Sequence, residues 1–395
     1  MGSVQGRRWL IGALAAVFLL QFGVTMARPV STYRLLALEA DGTALGIATA
    51  CYAIPPILLA VGFGRWTERH HPAILLCSGV VTTTLATFAL VAAESVGSVA
   101  GATTVLGLGH MMGVIGAQSL IAKADSRVRR LSRIGALTTT SAFGQVLGPV
   151  AGGLLIGRGS DPTLDTTSSA LLAAAWLVLA ASPFATAALA TRIKSTTVRT
   201  HRAEPVLSLL RRPGMPIALT TSFSAKSGVD LLLVYMPVLG VAAGLSSSQV
   251  GVLLGLSSGG ALLGRAGTAS LVRRYGTVPL TATATIVASL CLVVVAATGP
   301  FAVLCAAMAV LGCALGLSQT TTMDWVVDLV DHQSRGSALG LRVATNRVGQ
   351  ALVLAGTGAL SGALGVATAF VLIAGMMLAT AAFSMFGRHR GDQSR

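Results

Sequence analysis

Lys226 and Asp230 are two residues of opposite charge inside one apolar stretch of the sequence, 214–241. On a helix, residues four positions apart share a face, so the two side chains can form an ion pair. A carboxylate that gains and loses a proton would break and re-form that pair, which is chemistry suited to proton exchange. A permanent structural ion pair explains the same spacing equally well.

His110 is a second candidate for proton exchange, because an imidazole titrates near neutral pH. It lies near the middle of another apolar stretch, 98–122. A hydrogen-bonded polar residue in a cavity is the competing interpretation. Ionisable groups within a bilayer are costly and normally face a cavity or a partner, so either interpretation predicts a polar interior around His110.

Further polar residues within apolar stretches are candidates for lining a central cavity. Arg28 lies near the outer end of its stretch and Arg347 near the middle of another, beside Asn346. Tyr33 and Tyr235 are expected near the same cavity, although tyrosines also anchor helices at the membrane surface. Together these five residues form the predicted substrate-cavity set.

A cytoplasmic gate is predicted from four charged residues near the inner ends of three apolar stretches. Arg265 and Arg342 could pair there with Asp324 and Asp328 and so link neighbouring helices. The alternative is that these side chains extend individually to the membrane surface.

The composition shows what must position these residues. The chain has 395 residues, of which 53% are hydrophobic and 10% are charged, and its mean hydropathy is +0.78. A soluble protein would carry about a quarter charged residues. Apolar runs of about 20 residues, each long enough for a bilayer, predict an all-α protein with twelve membrane-spanning helices. Their approximate ranges are 9–31, 43–63, 72–93, 98–122, 134–157, 167–191, 214–241, 248–271, 277–298, 300–323, 336–361 and 365–387.

The basic residues follow an alternating pattern along these spans. Of 28 lysines and arginines, 21 fall in alternate loops and the termini, whereas the opposite loops hold only Arg34 and Arg158. This positive-inside pattern places both termini in the cytoplasm and the protein in the cytoplasmic (inner) membrane. A nucleic-acid partner is not expected, because the +15 net charge forms no continuous basic surface with aromatic residues.

The chain is predicted to consist of two halves. The polar, basic segment 193–212 separates an N-terminal six-helix bundle, 1–192, from a C-terminal one, 213–395. At a constant offset of 205 the halves match in register, a sign of parallel six-helix repeats with a substrate site between them. The matching pairs include Gly46/Gly251, Arg69/Arg274, Gly107/Gly312, Arg130/Arg335, Gly135/Gly340, Gly144/Gly349, Gln145/Gln350 and Gly157/Gly362.

No enzyme motif or cofactor site emerges from the sequence. The phosphate-binding Gly-x-x-x-x-Gly-Lys-Ser/Thr string is missing, so ATP is not expected as the direct energy source. The five cysteines and six histidines show no metal-ligand spacing. We therefore expect no cofactor and no metal, with a proton gradient as the energy source.

The loop between the second and third spans carries a transporter signature. It contains Gly64, Glu68 and Arg69, followed by His71 and Pro72. Here the sequence resembles the major facilitator superfamily, whose loop signature is Gly-x-x-x-Asp-Arg-x-Gly-Arg-Lys. Glu68 corresponds to the Asp and Arg69 to the Arg, whereas His71 and Pro72 depart from the pattern. The alternative is an ordinary basic cytoplasmic loop. The resemblance implies two pseudo-symmetric six-helix bundles that enclose a cavity.

A second motif occupies the fifth span, with the order Gly-x-x-x-Gly-Pro-x-x-Gly-Gly. Gly144, Gly148 and Gly152 form one bare helical stripe that a second helix can approach closely, and Pro149 removes a backbone donor. With Gly153, the string is similar to the fifth-helix signature of the drug:proton antiporter branch of this superfamily. In that branch the signature is associated with control of alternating access. Ordinary helix packing explains the glycines as well.

One feature of that branch is missing. Its members often carry an arginine in an Arg-x-x-x-Gly pattern of the fourth helix, linked to proton transfer. The corresponding residue before Gly113 is Gly109, beside His110. Proton coupling through such an arginine is therefore not expected here.

These observations predict a secondary transporter that exports a small molecule by alternating access, most simply in exchange for protons. Import by a proton symporter or facilitator is the alternative, and a non-transporting receptor is disfavoured because no extended soluble domain is present. The expected partners are a small-molecule substrate, protons and the lipid bilayer, and two bundles suffice for a monomer. Cations embedded in the spans favour substrates with anionic or polar groups.

Overall fold

The computed structural model describes residues 2–122, 127–157, 162–190, 206–331 and 334–392. Within these ranges every regular element is a helix and no strand occurs. This confirms the all-α fold class. Most of the predicted linker lies outside the described residues.

Fifteen α-helices and two 3-10 turns follow one another along the described chain. The α-helices are α1 (Gly2–Ala37), α2 (Gly42–Ala50), α3 (Ile54–Arg69), α4 (Pro72–Val91), α5 (Val96–Ala122), α6 (Arg127–Ile156), α7 (Leu164–Leu179), α8 (Ser182–Ala187), α9 (Val206–Leu210), α10 (Met215–Ala242), α11 (Ser247–Tyr275), α12 (Thr277–Ala296), α13 (Phe301–Asp328), α14 (Arg335–Leu364) and α15 (Val366–Asp392). The 3-10 turns are Cys51–Ala53 and Ala188–Ala190.

Eleven stretches among the described residues are long and apolar enough to cross a membrane. The difference from the twelve predicted spans falls on 336–361, which does form a helix, the 30-residue α14. The first half of α14 carries Arg335, Arg342 and Arg347, which make it less apolar than the other spans. The chain is a multi-pass membrane protein.

Prolines lie inside several of the membrane-spanning helices. Pro29, Pro149 and Pro237 lie within α1, α6 and α10, where each removes one backbone hydrogen-bond donor. The second span is divided into α2, a 3-10 turn and α3. Pro55 and Pro56 occupy the first turn of α3, where the donors that they lack have no partner within the helix.

The chain divides into two compact units. The first comprises Met1–Val198 together with Gly240–Gly255, and the second comprises Arg199–Leu239 together with Leu256–Arg395. The end of α10 and the beginning of α11 therefore belong to the first unit, although they lie in the second half of the sequence. The predicted domain boundaries stay a prediction.

Equivalent helix contacts occur within the two units at the predicted offset of 205. In the first unit, a Cβ on Gly107 would collide with the backbone of Tyr52. In the second, a Cβ on Gly312 would collide with the backbone of Ser257. Since Gly107 and Tyr52 plus 205 are Gly312 and Ser257, the repeat is preserved in packing as well as in sequence.

A second pair of contacts repeats in the same way. Gly144 of α6 lies against the backbone of Phe18, and Gly349 of α14 lies against the ring of Phe223. Both glycines and both phenylalanines are separated by 205 residues. The small residues of each repeat thus allow equivalent helices to approach closely.

Arg34 connects three helices at one end of the first unit. Its side chain is 3% exposed, and its guanidinium donates to the carbonyl oxygens of Ala93 (2.7 Å), Val91 (3.0 Å) and Leu164 (3.2 Å) and to Ser168 Oγ. These acceptors lie at the end of α4, just after it, and at the start of α7. At the end of α4, Arg34 therefore satisfies carbonyl groups that the helix leaves without a partner.

We expect Arg34→Lys to lower the free energy of unfolding by about 2 kcal/mol, because an ammonium cannot reproduce the planar fork of a guanidinium. The melting temperature of the protein in detergent measures this loss. Arg65→Lys, at an exposed position of α3, is the control. Equal melting temperatures for the two variants would contradict the assignment.

Candidate functional site

A chain of polar contacts crosses the interior of the first unit. His110 of α5 lies between two partners, with Nε2 3.1 Å from Gln21 Oε1 and Nδ1 in a short contact with the Tyr52 hydroxyl. Gln21 and Tyr52 are buried, and His110 is partly buried. The imidazole thus connects α1 to the 3-10 turn that precedes α3.

The two contacts are compatible with a neutral imidazole in one tautomer. In that tautomer Nε2–H would donate to the Gln21 oxygen, and Nδ1 would accept from the Tyr52 hydroxyl. Protonation of Nδ1 would require Tyr52 to stop donating. The geometry fits a hydrogen-bonded polar residue, and the predicted role of His110 in proton exchange stays a prediction.

Arg28 continues this chain along α1. Its guanidinium carbon lies 4.6 Å from the centre of the Tyr52 ring, within the range of a cation–π interaction. Arg28 is 8% exposed and Tyr33, on the next turns of α1, is 2% exposed. Both predicted cavity residues are therefore buried inside the first unit.

Gln21 and Tyr52 were not among the residues predicted from the sequence. A usable signal was present, because Gln21 is the counterpart of Lys226 at the offset of 205, and Thr25 is the counterpart of Asp230. Polar residues of one half thus align with the ion pair of the other half. The repeat could have indicated where the first unit keeps its polar contacts.

The glycine stripe of α6 lies against α1. A Cβ on Gly148 would collide with Thr25 Oγ1 and lie 2.7 Å from the Phe22 carbonyl oxygen, and a Cβ on Gly144 would lie 2.8 Å from that of Phe18. Gly152 faces Val30 and Met26. The close helix approach predicted from the spacing is confirmed, and Thr25 Oγ1 donates to the Gly144 carbonyl at 3.1 Å.

The last residue of the string contacts the beginning of α11. A Cβ on Gly153 would lie 2.9 Å from the Cα of Gly251, and a Cβ on Gly251 would lie 2.7 Å from the Pro149 carbonyl oxygen. Ser248 donates to the Gly157 carbonyl through its backbone N–H at 3.2 Å and its hydroxyl at 2.9 Å. The motif thus packs on two helices, with its stripe on α1 and Pro149 and Gly153 on α11.

The ion pair predicted in α10 is formed. Lys226 Nζ lies 2.8 Å from Asp230 Oδ2, with the aspartate side chain completely buried and the lysine side chain 25% exposed. Spacing of four residues on one helix brings the groups together, as expected. The carboxylate is enclosed by protein, whereas its partner retains access to the surroundings.

The remaining cavity candidates lie on α10 and α14. Asn346 accepts a hydrogen bond from Ser222 at 3.2 Å, and Arg347 donates to Gln350 at 2.9 Å. Tyr235 is completely buried and donates to the Leu354 carbonyl at 2.9 Å. Tyr235 therefore contributes to the packing of α10 on α14, and its predicted place beside a cavity stays a prediction.

The predicted charge pairs of the cytoplasmic gate are not formed in this structure. Asp324 is exposed and accepts a hydrogen bond from Thr277 at 3.2 Å. Arg342 donates instead to the Gln319 carbonyl at 2.9 Å and to Thr322 at 3.3 Å. Within the described part of the chain, no carboxylate lies within 4.0 Å of Arg342. Asp324 lies on α13 and Arg342 on α14. The Gln319 carbonyl takes the place of a carboxylate as the acceptor for the Arg342 guanidinium.

The loop after the second span is only partly described. Arg69 is exposed at the end of α3, and the Glu68 side chain lies outside the described residues. Gly64 accepts a hydrogen bond from Thr67 at 2.7 Å, and Thr67 lies 3.1 Å from Ser119 of α5. The loop motif is thus anchored to α5 through Thr67, while the predicted role of its acid and base stays a prediction.

Comparison with known proteins identifies the family. Residues 13–333 and 244–395 match the profile of the Major Facilitator Superfamily. The chain is also similar to multidrug resistance protein 1 of Bacillus subtilis (strain 168), at 25% identity over 167 residues. That match covers 42% of this chain and 43% of the relative.

Solved transporter structures share the fold at low sequence identity. A mutant form of the nucleoside transporter NupG is 15% identical, with a TM-score of 0.80 over 96% of this chain and 99% of that one. A bacterial homologue of the lysosomal transporter Spinster gives 0.70, with 15% identity and 96% and 95% coverage. A bacterial homologue of the iron transporter ferroportin gives 0.68, with 17% identity and 96% and 97% coverage. The chain belongs to the Major Facilitator Superfamily, a family of transporters and not of enzymes.

Proposed function

We propose that this protein is a proton-coupled antiporter that exports a small molecule by alternating access. The observation that carries the proposal is the Lys226–Asp230 pair, with its completely buried carboxylate and its 2.8 Å separation. A buried acid beside a partly exposed base can exist in two arrangements, paired when ionised and released when protonated.

Coupling follows if substrate and proton bias the same conformational equilibrium in opposite directions. Protonation of Asp230 neutralises the carboxylate and frees Lys226 from its ion pair. Deprotonation restores the pair and changes the charge presented by α10. A substrate that binds better to one of these arrangements is thereby linked to the proton, without a cofactor.

Two observations support export. The glycine string of α6 has the order of the antiporter signature, and its residues Pro149 and Gly153 contact Gly251 of α11. The relative from Bacillus subtilis is named a multidrug resistance protein. This backbone contact forms a close interface between α6 and α11, and the interface must rearrange if the two helices move relative to each other during transport.

Proton-driven or facilitated import of a small organic solute is the second candidate. The specific observation in its favour is that contacts of Gly144 and Gly148 with α1 account for the glycine stripe as packing alone. NupG, whose fold this chain shares, is described as a nucleoside transporter. The Lys226–Asp230 pair would serve symport equally well.

Reconstitution into proteoliposomes with an imposed pH gradient tests the direction of coupling. Candidate substrates are screened as a panel. During efflux of a true substrate, a pH-sensitive dye should report protons moving in the opposite direction. Protons moving with the substrate would replace antiport by symport. Substrate movement without any proton signal would identify a facilitator and contradict both coupled mechanisms.

We further propose that the protein acts as a monomer in the cytoplasmic membrane with both termini inside. The alternating distribution of basic residues supports this orientation. The partners are a small-molecule substrate, protons and lipid, with the proton gradient as the source of energy.

A further inference from the structure

The second unit contains arginines that no carboxylate neutralises within the described part of the chain. Arg265 lies on α11, and Arg342 and Arg347 lie on α14. Asp230 is buried among the described residues of this unit, and it is already paired with Lys226 at 2.8 Å. Isolated cations within a membrane span are costly and normally have a counterion or a functional role.

Arg342 keeps unused hydrogen-bonding capacity. Its Nη2 donates to the Gln319 carbonyl and to Thr322, but its buried Nε has no hydrogen-bond partner in the described structure. A guanidinium presents its donors as a planar fork, which matches the two oxygens of a carboxylate or phosphate. The unused donor therefore points to an acceptor supplied from outside the chain.

Arg265 lies on the side of α11 that packs on α13. A Cβ on Gly312 would meet the Ser257 backbone, and a Cβ on Gly316 would meet that of Ala261. These contacts step four residues along both helices, and Arg265 lies one turn beyond Ala261 on this side of α11. Gln319 and Thr322, the partners of Arg342, lie within two turns of Gly316 on α13.

The surrounding groups favour an anion and not an internal salt bridge. Asp324, the acid predicted to pair here, is exposed and bound to Thr277. Arg347 donates to the neutral amide of Gln350 and adds a further positive charge on α14. Among the described residues, neither Arg265 nor Arg347 has a carboxylate within 4.0 Å.

We propose that Arg265 and Arg342 form a binding site for the anionic group of the transported solute, a carboxylate or a phosphate. The inference rests on the proposed transport function and names its substrate class. The pair lies on α11 and α14, so the anion would connect two helices of the second unit through charge-assisted hydrogen bonds. Thr322 Oγ1 accepts from Arg342 at 3.3 Å and helps to position its guanidinium.

Binding of matched probes to the purified full-length protein tests the site without requiring transport. Benzoate and phenyl phosphate are the anions, and benzamide and phenol are their neutral counterparts. A ligand that binds the folded state raises the melting temperature in proportion to its occupancy, so affinities follow from shifts measured over a concentration series. At least one anion should stabilise the wild type, and the neutral probes should not.

The variants Arg265→Gln and Arg342→Gln should each weaken anion affinity by about tenfold or more, the effect of losing a charged hydrogen bond. Arg342→Lys keeps the positive charge but lacks the planar guanidinium, so it should bind the anion with intermediate affinity. This variant keeps the test valid if Arg342→Gln fails to fold. Arg273→Gln removes the same charge from an exposed position of α11 and should bind as the wild type does.

Four results would overturn the inference. These are equal shifts by anionic and neutral probes, no shift by either anion, wild-type affinity in both glutamine variants, or an equal loss in Arg273→Gln. Stabilisation by phosphatidylglycerol but not by the small anions would assign the arginines to a lipid headgroup, which also contradicts the proposal. Anion binding without proton flux would instead refute the proposed coupling alone, and proton-coupled efflux of a neutral solute by Arg342→Gln would refute this inference alone.

Discussion

Replacement of Asp230 by asparagine is expected to abolish proton-driven transport while leaving the protein in the membrane. Asparagine has the size of aspartate but cannot release a proton, so the α10 pair has only one charge state. We expect the dependence of efflux on the pH gradient to fall by about tenfold or more, the scale of a coupling free energy of 1–3 kcal/mol. Proteoliposomes with an imposed gradient measure this dependence.

Asp230→Asn also removes the partner of Lys226. Its effect on the stability of the protein must therefore be measured separately from its effect on proton coupling. Loss of one member of a fully buried pair costs about 3–5 kcal/mol, and the 25% exposure of Lys226 makes the cost smaller here. The double variant Lys226→Gln/Asp230→Asn removes both charges and should recover much of the melting temperature. It should stay uncoupled, whereas Asp230→Glu should keep coupling.

A purely structural ion pair gives the opposite result. In that case the double variant would transport with normal pH dependence, because its charge balance is restored. Recovery of both stability and coupling in the double variant would therefore remove Asp230 from the proton pathway and leave proton exchange to another group.

Substitution of Gly148 by alanine is expected to disrupt the packing of α6 on α1. The added Cβ would collide with Thr25 Oγ1 and lie 2.7 Å from the Phe22 carbonyl oxygen and 2.9 Å from the Met26 nitrogen. Two of these three atoms are backbone, so relief requires α1 and α6 to separate. Overpacking of this kind costs about 1–3 kcal/mol or more.

The matched control lies on the same helix. A Cβ on Gly135 would have nothing within 4 Å, so Gly135→Ala should leave both stability and transport unchanged. Gly148→Ala should lower the melting temperature in detergent and the transport rate in proteoliposomes. Equal behaviour of the two variants would show that the close approach of α1 and α6 is not required.

The sequence alone determined the all-α membrane fold and the partners within one helix. An apolar run of about twenty residues in lipid forms a helix, because a helix satisfies all its backbone hydrogen bonds within the same segment. Lys226 and Asp230 lie four residues apart, so helical geometry by itself brings them together. The repeat at an offset of 205 and the bare stripe of Gly144 and Gly148 were likewise visible without a structure.

Tertiary structure decided which helices meet and which polar groups find each other across them. The contact of His110 with Gln21 and Tyr52 joins residues 89 and 58 positions apart, and no local spacing indicates it. The hydrogen bond from Tyr235 to the Leu354 carbonyl likewise depends on how α10 is rotated against its neighbours.

Charge alone also did not predict the partners of two gate residues. Arg342 and Asp324 have opposite charges and similar predicted depths, yet Arg342 binds the Gln319 carbonyl and Asp324 binds Thr277. Composition and periodicity set depth in the membrane and the face shared along one helix. Contacts between side chains of different helices depend on the distance between the helices and on their rotation. Small residues such as Gly148, Gly153 and Gly312 set that distance only when the helices are assembled.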